Sequence, residues 1–376
     1  MTRVPLVPTS LLKPILAETM DRLFNFSAGP GTLPVEVLEE ARDEMLVYKD
    51  AGASVMEISH RSPQYTALAE QTRQHFRDLL GMGDDWHILF LQGGASLQFH
   101  QTALNFLTEG TTGNYVVTGA WAKKAFAEAK MIGSAHAAAS SAESGHDHIP
   151  DESSWDITDD ASYVHITSNN TIFGTQFAGD PSPGVPLICD ASSDFLSRPI
   201  DLDNYGLIYA GAQKNIGPAG VTVVMVKDDF MGRIPDGLPT LMDYRTHAAK
   251  LFHTPPVFSV YMVEKVLRWI KKGGSLADMK KRNDKKAALL YDQIDASDFY
   301  RGHARSGSRS NMNVTFNLPN EELESAFLKE AGQNGLVALK GHRSVGGIRA
   351  SIYNACPKEG VEALASFMSD FRARKG

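Results

Sequence analysis

From about Trp86 onward, short apolar runs alternate with helix-length segments: HILFL, NYVVTG, SYVHIT, PLICD, YGLIYAG and VTVVMV. Runs this continuously apolar suit strands covered on both faces by helices, so the rhythm predicts an α/β fold around a mostly parallel sheet. Ligands of such a sheet gather at the carboxyl ends of its strands. Three runs end there in polar or glycine-rich residues, Gln92-Gly93-Gly94-Ala95-Ser96, Ala120-Trp121 and Ser168-Asn169-Asn170-Thr171, which one crevice would collect. After Val226 the pattern turns helical, with a long stretch expected from about Pro256 to Ile294 whose SVYMVEKVLRWIKK segment has apolar residues at helical spacing. NVTFNL, a helix through ELESAFLKEAGQ, GIRASIYN and a last helix then give an α+β pattern. The expected organisation is a loosely held extension over 1–19, a segment 20–30 packing with the small domain, a large domain over 31–270 and a smaller α+β C-terminal domain over 271–376. Leu11, Leu12, Ile15 and Leu16 leave open a docked arrangement of the extension on a neighbouring subunit. The one compositional oddity is the small-residue patch from Ser134 to Ser144.

Composition narrows the class. The chain has 376 residues, more than one hydrophobic core usually organises. Its 43% hydrophobic and 22% charged residues are those of an ordinary globular protein. A net charge of -7 with mixed signs supplies no basic field for nucleic acid, and Lys271-Lys272 and Lys280-Lys281-Arg282 read as solvated helix faces. Only Cys189 and Cys356 are present, without the paired spacing of a zinc site, so no metal centre is expected and a reducing compartment fits. No run approaches the ~18 apolar residues of a membrane span, and the start lacks the order of a signal peptide. The expectation is a cytoplasmic enzyme with no membrane partner.

Candidate chemistry clusters in a few places. In GLIYAGAQKNIGPAGVTVVMV, Lys214 lies between two apolar strands in a loop of Gly211, Gly217, Pro218 and Gly220. Desolvation there lowers a lysine's proton affinity and frees a neutral amine for Schiff-base chemistry with an aldehyde; the alternative is a lysine snorkelling out of a turn. Asp190 follows PLIC at the end of a strand, where a carboxylate either keeps a pyridinium nitrogen protonated or caps the turn at Ala191-Ser192-Ser193. Gly93-Gly94-Ala95-Ser96 sits where free N–H groups at a helix start receive a phosphate, while the G-x-G-x-x-G and Walker patterns are absent from it. Trp121, between a strand and the helix AKKAFAEAK, either stacks its indole on a flat cofactor ring or packs in the core. His60-Arg61, His342-Arg343 and Arg349 recur at loop-like points. Singly each reads as a surface ion pair; jointly they suit a small, multiply anionic substrate.

The blocks FNFSAGP, SVMEISHRS, LQGGASLQF, YAGAQKNIGPAG, FHTPP, MNVTF and ALKGHRSVGGIRASIYNA resemble the phosphoserine aminotransferases, which are class V aminotransferases of the type I pyridoxal-phosphate transferase fold. The resemblance runs from about Met20 to the C-terminus. It implies pyridoxal 5'-phosphate held by Lys214, with Asp190 on the pyridine nitrogen, Trp121 on the ring, and Gln213 and Thr171 completing the site. Ala95 and Ser96 would take the cofactor phosphate, helped by His253 and Thr254 reaching across from the second subunit of a homodimer. His60, Arg61, His342 and Arg343 would surround the substrate phosphate, and Arg349 would clamp the α-carboxylate. Two positions depart from the family. GGASLQ stands where some members carry GGGRGQ, so the cofactor phosphate relies on N–H groups and Ser96 more than on an arginine, and His253 stands where many have asparagine. Residues 1–19 have no counterpart, which makes Met20 an alternative start.

The implied reaction is a two-stage transamination. Glutamate leaves as 2-oxoglutarate, and 3-phosphohydroxypyruvate is then aminated to O-phospho-L-serine in serine biosynthesis, with Lys214 as anchor and base. Some relatives also take the 4-phosphohydroxy-threonine pair of pyridoxine biosynthesis. The rivals are an alanine- or serine-glyoxylate-type aminotransferase, disfavoured by the doubled His-Arg pairs, and a cysteine desulfurase built on Cys356, the exposed-looking cysteine. A nucleotide-dependent dehydrogenase is disfavoured by the missing G-x-G-x-x-G, and a non-catalytic binding protein on the same fold by the intact Lys214 and Asp190.

Overall fold

The computed structural model describes residues 22–376; the expectations for 1–19, and for Met20 and Asp21 of the segment 20–30, lie outside the described residues. Seven strands form the main sheet: β1 (Trp86–Leu91), β2 (Thr112–Val117), β3 (Ser134–Ser140), β4 (Ala161–Thr167), β5 (Leu187–Asp190), β6 (Tyr205–Gly211) and β7 (Thr222–Lys227). Their spatial order is β1-β7-β6-β5-β4-β2-β3. All pairings are parallel except those of β7, which runs antiparallel between β1 and β6.

The apolar runs become strands because alternate residues enter two cores. Ile88, Val116, Val164, Cys189, Ile208 and Val223 face the helices Pro63–Leu80 and Val257–Lys272. Leu89, Tyr115, Tyr163, Ile188, Leu207 and Val224 face the helices Gly94–Phe106 and Ala120–Ile132. A fully buried Val, Leu, Ile or Phe contributes about 1.5–3 kcal/mol, so every strand of this kind is over-determined by burial. The small-residue patch holds the edge strand β3, which pairs in parallel with β2. Its sequence SAHAAAS has no β-branched or aromatic residue, so only tertiary pairing on one side makes it a strand.

The expected continuous helix from Pro256 to Ile294 is two helices, Val257–Lys272 and Leu276–Asp295. The break falls at Gly273-Gly274, where Gly274 adopts φ 108°, a conformation costly for any other residue. Ser275 then caps the second helix in a reciprocal capping box with Asp278. Beyond it, a further apolar core gathers Phe26, Leu290, Phe316, Phe327, Ile348 and Phe371. Around it lie an antiparallel sheet of Arg301–Gly302, Asn313–Asn317 and Ile348–Ser351 and the helices Glu321–Gln333 and Lys358–Lys375. Phe24–Asn25 pairs in parallel with Leu336–Val337, which ties the N-terminal segment to this core. No helix among the described residues is long and apolar enough to cross a membrane.

Candidate active site

Register brings the strand ends to one level. Thr167 lies opposite Asp190, Asp190 opposite Tyr209, and Thr222 opposite both Gly211 and Leu91. The chain then turns from each strand end into the same cleft, at Gly93 before the helix Gly94–Phe106, at Gly119 before Ala120–Ile132, and in the loop holding Thr171. Gly93 has φ 90°, which a side-chain-bearing residue resists.

Lys214 sits in the turn after β6, where the Ala212 N–H donates to the Val221 carbonyl at 3.1 Å and the Gly217 N–H to the Ala212 carbonyl at 2.9 Å. Gly29 and Gly31 cover it. A Cβ on Gly29 would lie 3.6 Å from Lys214 Cγ, and one on Gly31 would lie 2.9 Å from the Lys214 carbonyl oxygen and 2.8 Å from the Tyr353 ring. The Gly31 N–H donates to the Gln213 carbonyl at 2.7 Å, and the Tyr353 hydroxyl donates to the Ala28 carbonyl at 2.6 Å, which fixes the cover in place.

Asp190 is 5% exposed at the end of β5. Its Oδ1 accepts from the Ser192 N–H at 3.0 Å and the Ser192 hydroxyl at 2.6 Å, while Oδ2 accepts from no described residue. One oxygen therefore caps the turn, as the second reading of this aspartate expected, and the other stays open. Burial pushes the Asp190 carboxyl up, against the pull of the Lys214 ammonium and the Ser192 donors. Burial likewise pushes the Lys214 amine down, opposed by Asp190 and Asp194. Each group restrains the shift of the other, as expected for a buried pair of opposite charge.

Trp121 begins the helix Ala120–Ile132; its Nε1–H donates to Thr171 Oγ1 at 3.0 Å, and its ring centre lies 5.7 Å from Lys214 Nζ. Gln213 is half-buried beside Lys214. Arg349, on the strand Ile348–Ser351, donates Nη1–H to the Thr171 carbonyl at 3.0 Å, and burial pushes its guanidinium down. His342 is held at Nδ1 by Ser344 at 2.7 Å. Its imidazole is pushed down by burial and by the charges of Arg349, Arg343 and Lys124. Arg349 and Trp121 thus meet at Thr171, and the charges acting on His342 are all cationic. Ala95 and Ser96 occupy the first turn of Gly94–Phe106, whose N-cap makes no side-chain hydrogen bond, so its leading N–H groups can meet an anion.

The other four sequence-predicted residues stand apart in the protomer. His60 and His253 line a separate cavity of about 270 Å³ with Tyr65, Arg73 and His247. The His253 ring is edge-on to His247, centres 5.1 Å apart, and burial, then the His247 and His60 charges, push it down. Arg61 and Thr254 are exposed. Cys356, read as exposed, is in fact buried at 5% exposure before the helix Lys358–Lys375, and burial pushes its thiol up to about 11. A buried, protonated thiol is a poor nucleophile, which removes the residue on which a desulfurase reading would rest. Among the described residues no group of three or more His, Cys, Asp or Glu is arranged to hold a metal ion.

Sequence reasoning passed over the buried Asp194 and Tyr353. The Asp-x-Ser-Ser-Asp spacing of residues 190–194 was a usable signal for the first. Tyr353 reaches Ala28 across 325 positions and leaves no local trace.

The aminotransferase class-V family model matches residues 23–364. A phosphoserine aminotransferase of Geobacillus kaustophilus is 55% identical over 360 residues, covering 94% of this chain and 99% of that protein. Among solved structures, the phosphoserine aminotransferase from Bacillus circulans subsp. alkalophilus is 52% identical with a TM-score of 0.92, over 94% of this chain and 99% of its own. The PLP-bound phosphoserine aminotransferase from Trichomonas vaginalis is 37% identical with a TM-score of 0.89, over 93% of this chain and 100% of its own. With a family model spanning most of its length and relatives this similar from end to end, the chain belongs to the phosphoserine aminotransferases of the class-V aminotransferase family.

Proposed function

We propose that this chain is a pyridoxal-phosphate-dependent transaminase that moves an amino group between glutamate and 3-phosphohydroxypyruvate, giving 2-oxoglutarate and O-phospho-L-serine, a step of serine biosynthesis. The observation that carries the reading is the meeting of Lys214 and the buried Asp190 at the carboxyl end of the sheet, each acting on the other's charge, in a fold that also presents an uncapped helix start at Gly94.

The residues fit the cofactor. Asp190 Oδ2 accepts from no described residue, the helix at Gly94 presents open N–H groups, and the Trp121 ring centre lies 5.7 Å from Lys214 Nζ. In this reading Lys214 holds the cofactor's aldehyde carbon, Asp190 its ring nitrogen, Trp121, Thr171 and Gln213 its ring, and Ala95 and Ser96 its phosphate. Bound there, pyridoxal phosphate would supply an aldehyde carbon to carry the amino group between substrates and a ring to take up electrons. A carboxylate as buried as Asp190 keeps its charge only against a cation, so a protonated ring nitrogen satisfies both. The Lys214 amine, made less basic by burial, takes the proton from the substrate Cα and returns it on the far side of the transfer. Gly29 and Gly31 pack on the Lys214 stem and backbone and so help to fix where that amine stands. Arg349 orients the α-carboxylate through a planar fork, and His342 and Arg343 receive the distal anion.

His60, Arg61, His253 and Thr254 serve a neighbour's site in this reading, across a homodimer. The exposed Leu46, Val47 and Met56 ahead of His60, and Leu251 and Phe252 ahead of His253, support such an interface. The same reading divides the chain into lobes over 31–270 and 271–376, supported by their separate cores, and puts it in the cytoplasm, where two unbridged buried cysteines stay reduced.

A coupled assay tests this, using glutamate with 3-phosphohydroxypyruvate, hydroxypyruvate, glyoxylate or pyruvate once visible cofactor absorbance is seen. The expected result is a strong preference for the phosphorylated acceptor, lost in Arg343→Ala. A preference for glyoxylate or pyruvate would keep the fold and Lys214 but overturn the substrate.

A further inference from the structure

One cation beside Trp121 has no part in the roles assigned so far. Lys124 follows Trp121 by three residues on the helix Ala120–Ile132, so the two share a face. Its Nζ stands 4.6 Å from the indole centre, and the same indole stands 5.7 Å from Lys214 Nζ. The local partner open to Lys124 is Glu128, one turn further on, yet Glu128 pairs with His100 at 3.3 Å. Among the described residues no carboxylate comes within ion-pair distance of Lys124. Elsewhere Lys280 takes Asp284 and Lys358 takes Glu362 one turn on, the pairing that Glu128 would have offered Lys124.

Lys124 instead sets its ammonium over the Trp121 ring, and His342, in the loop of residues 342–349, responds to that charge as it does to Arg349 and Arg343. Lys124, Arg343 and Arg349 all act on His342, and Trp121 and Arg349 meet at Thr171, so these like charges share one side of the site. Such a group repels itself until a multiply charged anion arrives.

We propose that Lys124 is a specificity-determining residue, whose ammonium contacts the dianionic phosphate of the substrate from the Trp121 side and favours it over a monoanionic carboxylate at the same place. The inference rests on the reading that this site takes a phosphorylated acceptor. Coulomb attraction scales with charge, so loss of one cation weakens a dianion about twice as much in free energy as a monoanion; about threefold for glutamate becomes about tenfold for the phosphorylated acceptor.

The test uses the holoenzyme, with Lys124→Met to keep an unbranched side chain beside the indole without the charge and Lys124→Arg to keep the charge. In Lys124→Met, KM should rise about tenfold for 3-phosphohydroxypyruvate and about threefold for glutamate, carried by KM more than by kcat, with cofactor absorbance in place. Lys124→Arg should recover most of the loss. An equal loss toward hydroxypyruvate, or a shifted absorbance, would make Lys124 a prop for Trp121, and unchanged KM values would remove it from the site; either result overturns the proposal. If the unaltered protein shows no preference for the phosphorylated acceptor, the reading of the function fails first and takes this inference with it.

Discussion

Burial pushes the Asp190 carboxyl up and the Lys214 amine down, and the charge of each opposes the shift of the other. That coupling predicts how Asp190→Asn behaves. The amide keeps the shape and the Ser192 contacts to Oδ1 but removes the charge that would face a ring nitrogen through Oδ2. Cofactor should still bind through Lys214, because that amine and its cover are untouched, while the half-reaction with glutamate slows about a hundredfold or more. Stopped-flow absorbance in a single turnover separates the two: a variant that binds cofactor and reacts at the unaltered rate would remove Asp190 from the chemistry.

Elements set what these residues can do, and two of them make checkable demands. His165 lies within β4, its Nε2 2.9 Å from the Tyr209 hydroxyl and its ring stacked on Tyr115 at 5.0 Å, and burial pushes its pKa down to about 3. Below the ordinary value near 6.5 the unfolded chain takes up a proton at this position that the folded chain refuses. Stability therefore falls as the pH drops from about 6.5 toward 3, by about 1.4 kcal/mol per unit, or about 2 kcal/mol at pH 5. Urea unfolding at pH 5 and 7 should show a shallower pH slope for His165→Gln than for the unaltered chain; equal slopes would contradict it. The helix Leu276–Asp295 makes the second demand. Lys286 donates to the carbonyls of Ile352 at 3.0 Å, Tyr353 at 2.7 Å and Cys356 at 3.2 Å, and the Asn354 N–H donates to Asn215 Oδ1 at 3.0 Å, beside Lys214. Lys286→Met leaves those carbonyls without their shared donor and should cost about 2–4 kcal/mol in urea unfolding. A loss below about 0.5 kcal/mol would show that the turn holds itself.

The same elements show how much the sequence disclosed. The central strands were legible because burial on both faces leaves a continuous apolar signature, and the loop around Lys214 because its glycines and its lysine are contiguous. The edge strand Ser134–Ser140 was not, since alanine and serine carry no strand preference, and the helix pattern ran past Gly273-Gly274 because its apolar spacing resumes beyond the break. Lys286 meets Tyr353 across 67 positions, a contact no local pattern encodes.

At the scale of the whole molecule, the distribution of the candidate residues carries the strongest consequence. Lys214, Asp190, Trp121, Thr171 and Arg349 assemble within one protomer, whereas His60, Arg61, His253 and Thr254 stand apart from them. If a two-fold dimer supplies the second set to its neighbour's site, two defective chains can repair each other. Lys214→Ala and Arg61→Ala should each be nearly inactive. In a mixed dimer, one site loses both residues and the other keeps both. Random reassortment makes about half the dimers mixed, so an equal mixture should regain about a quarter of the unaltered activity. Lys214→Ala mixed with Arg349→Ala provides the contrast, because those residues belong to one protomer's group and every site in the mixed dimer lacks one of them. Recovery in the first mixture and none in the second is what a shared site requires. Equal behaviour of the two mixtures would confine each site to a single chain and leave His60 and Arg61 without a role in it.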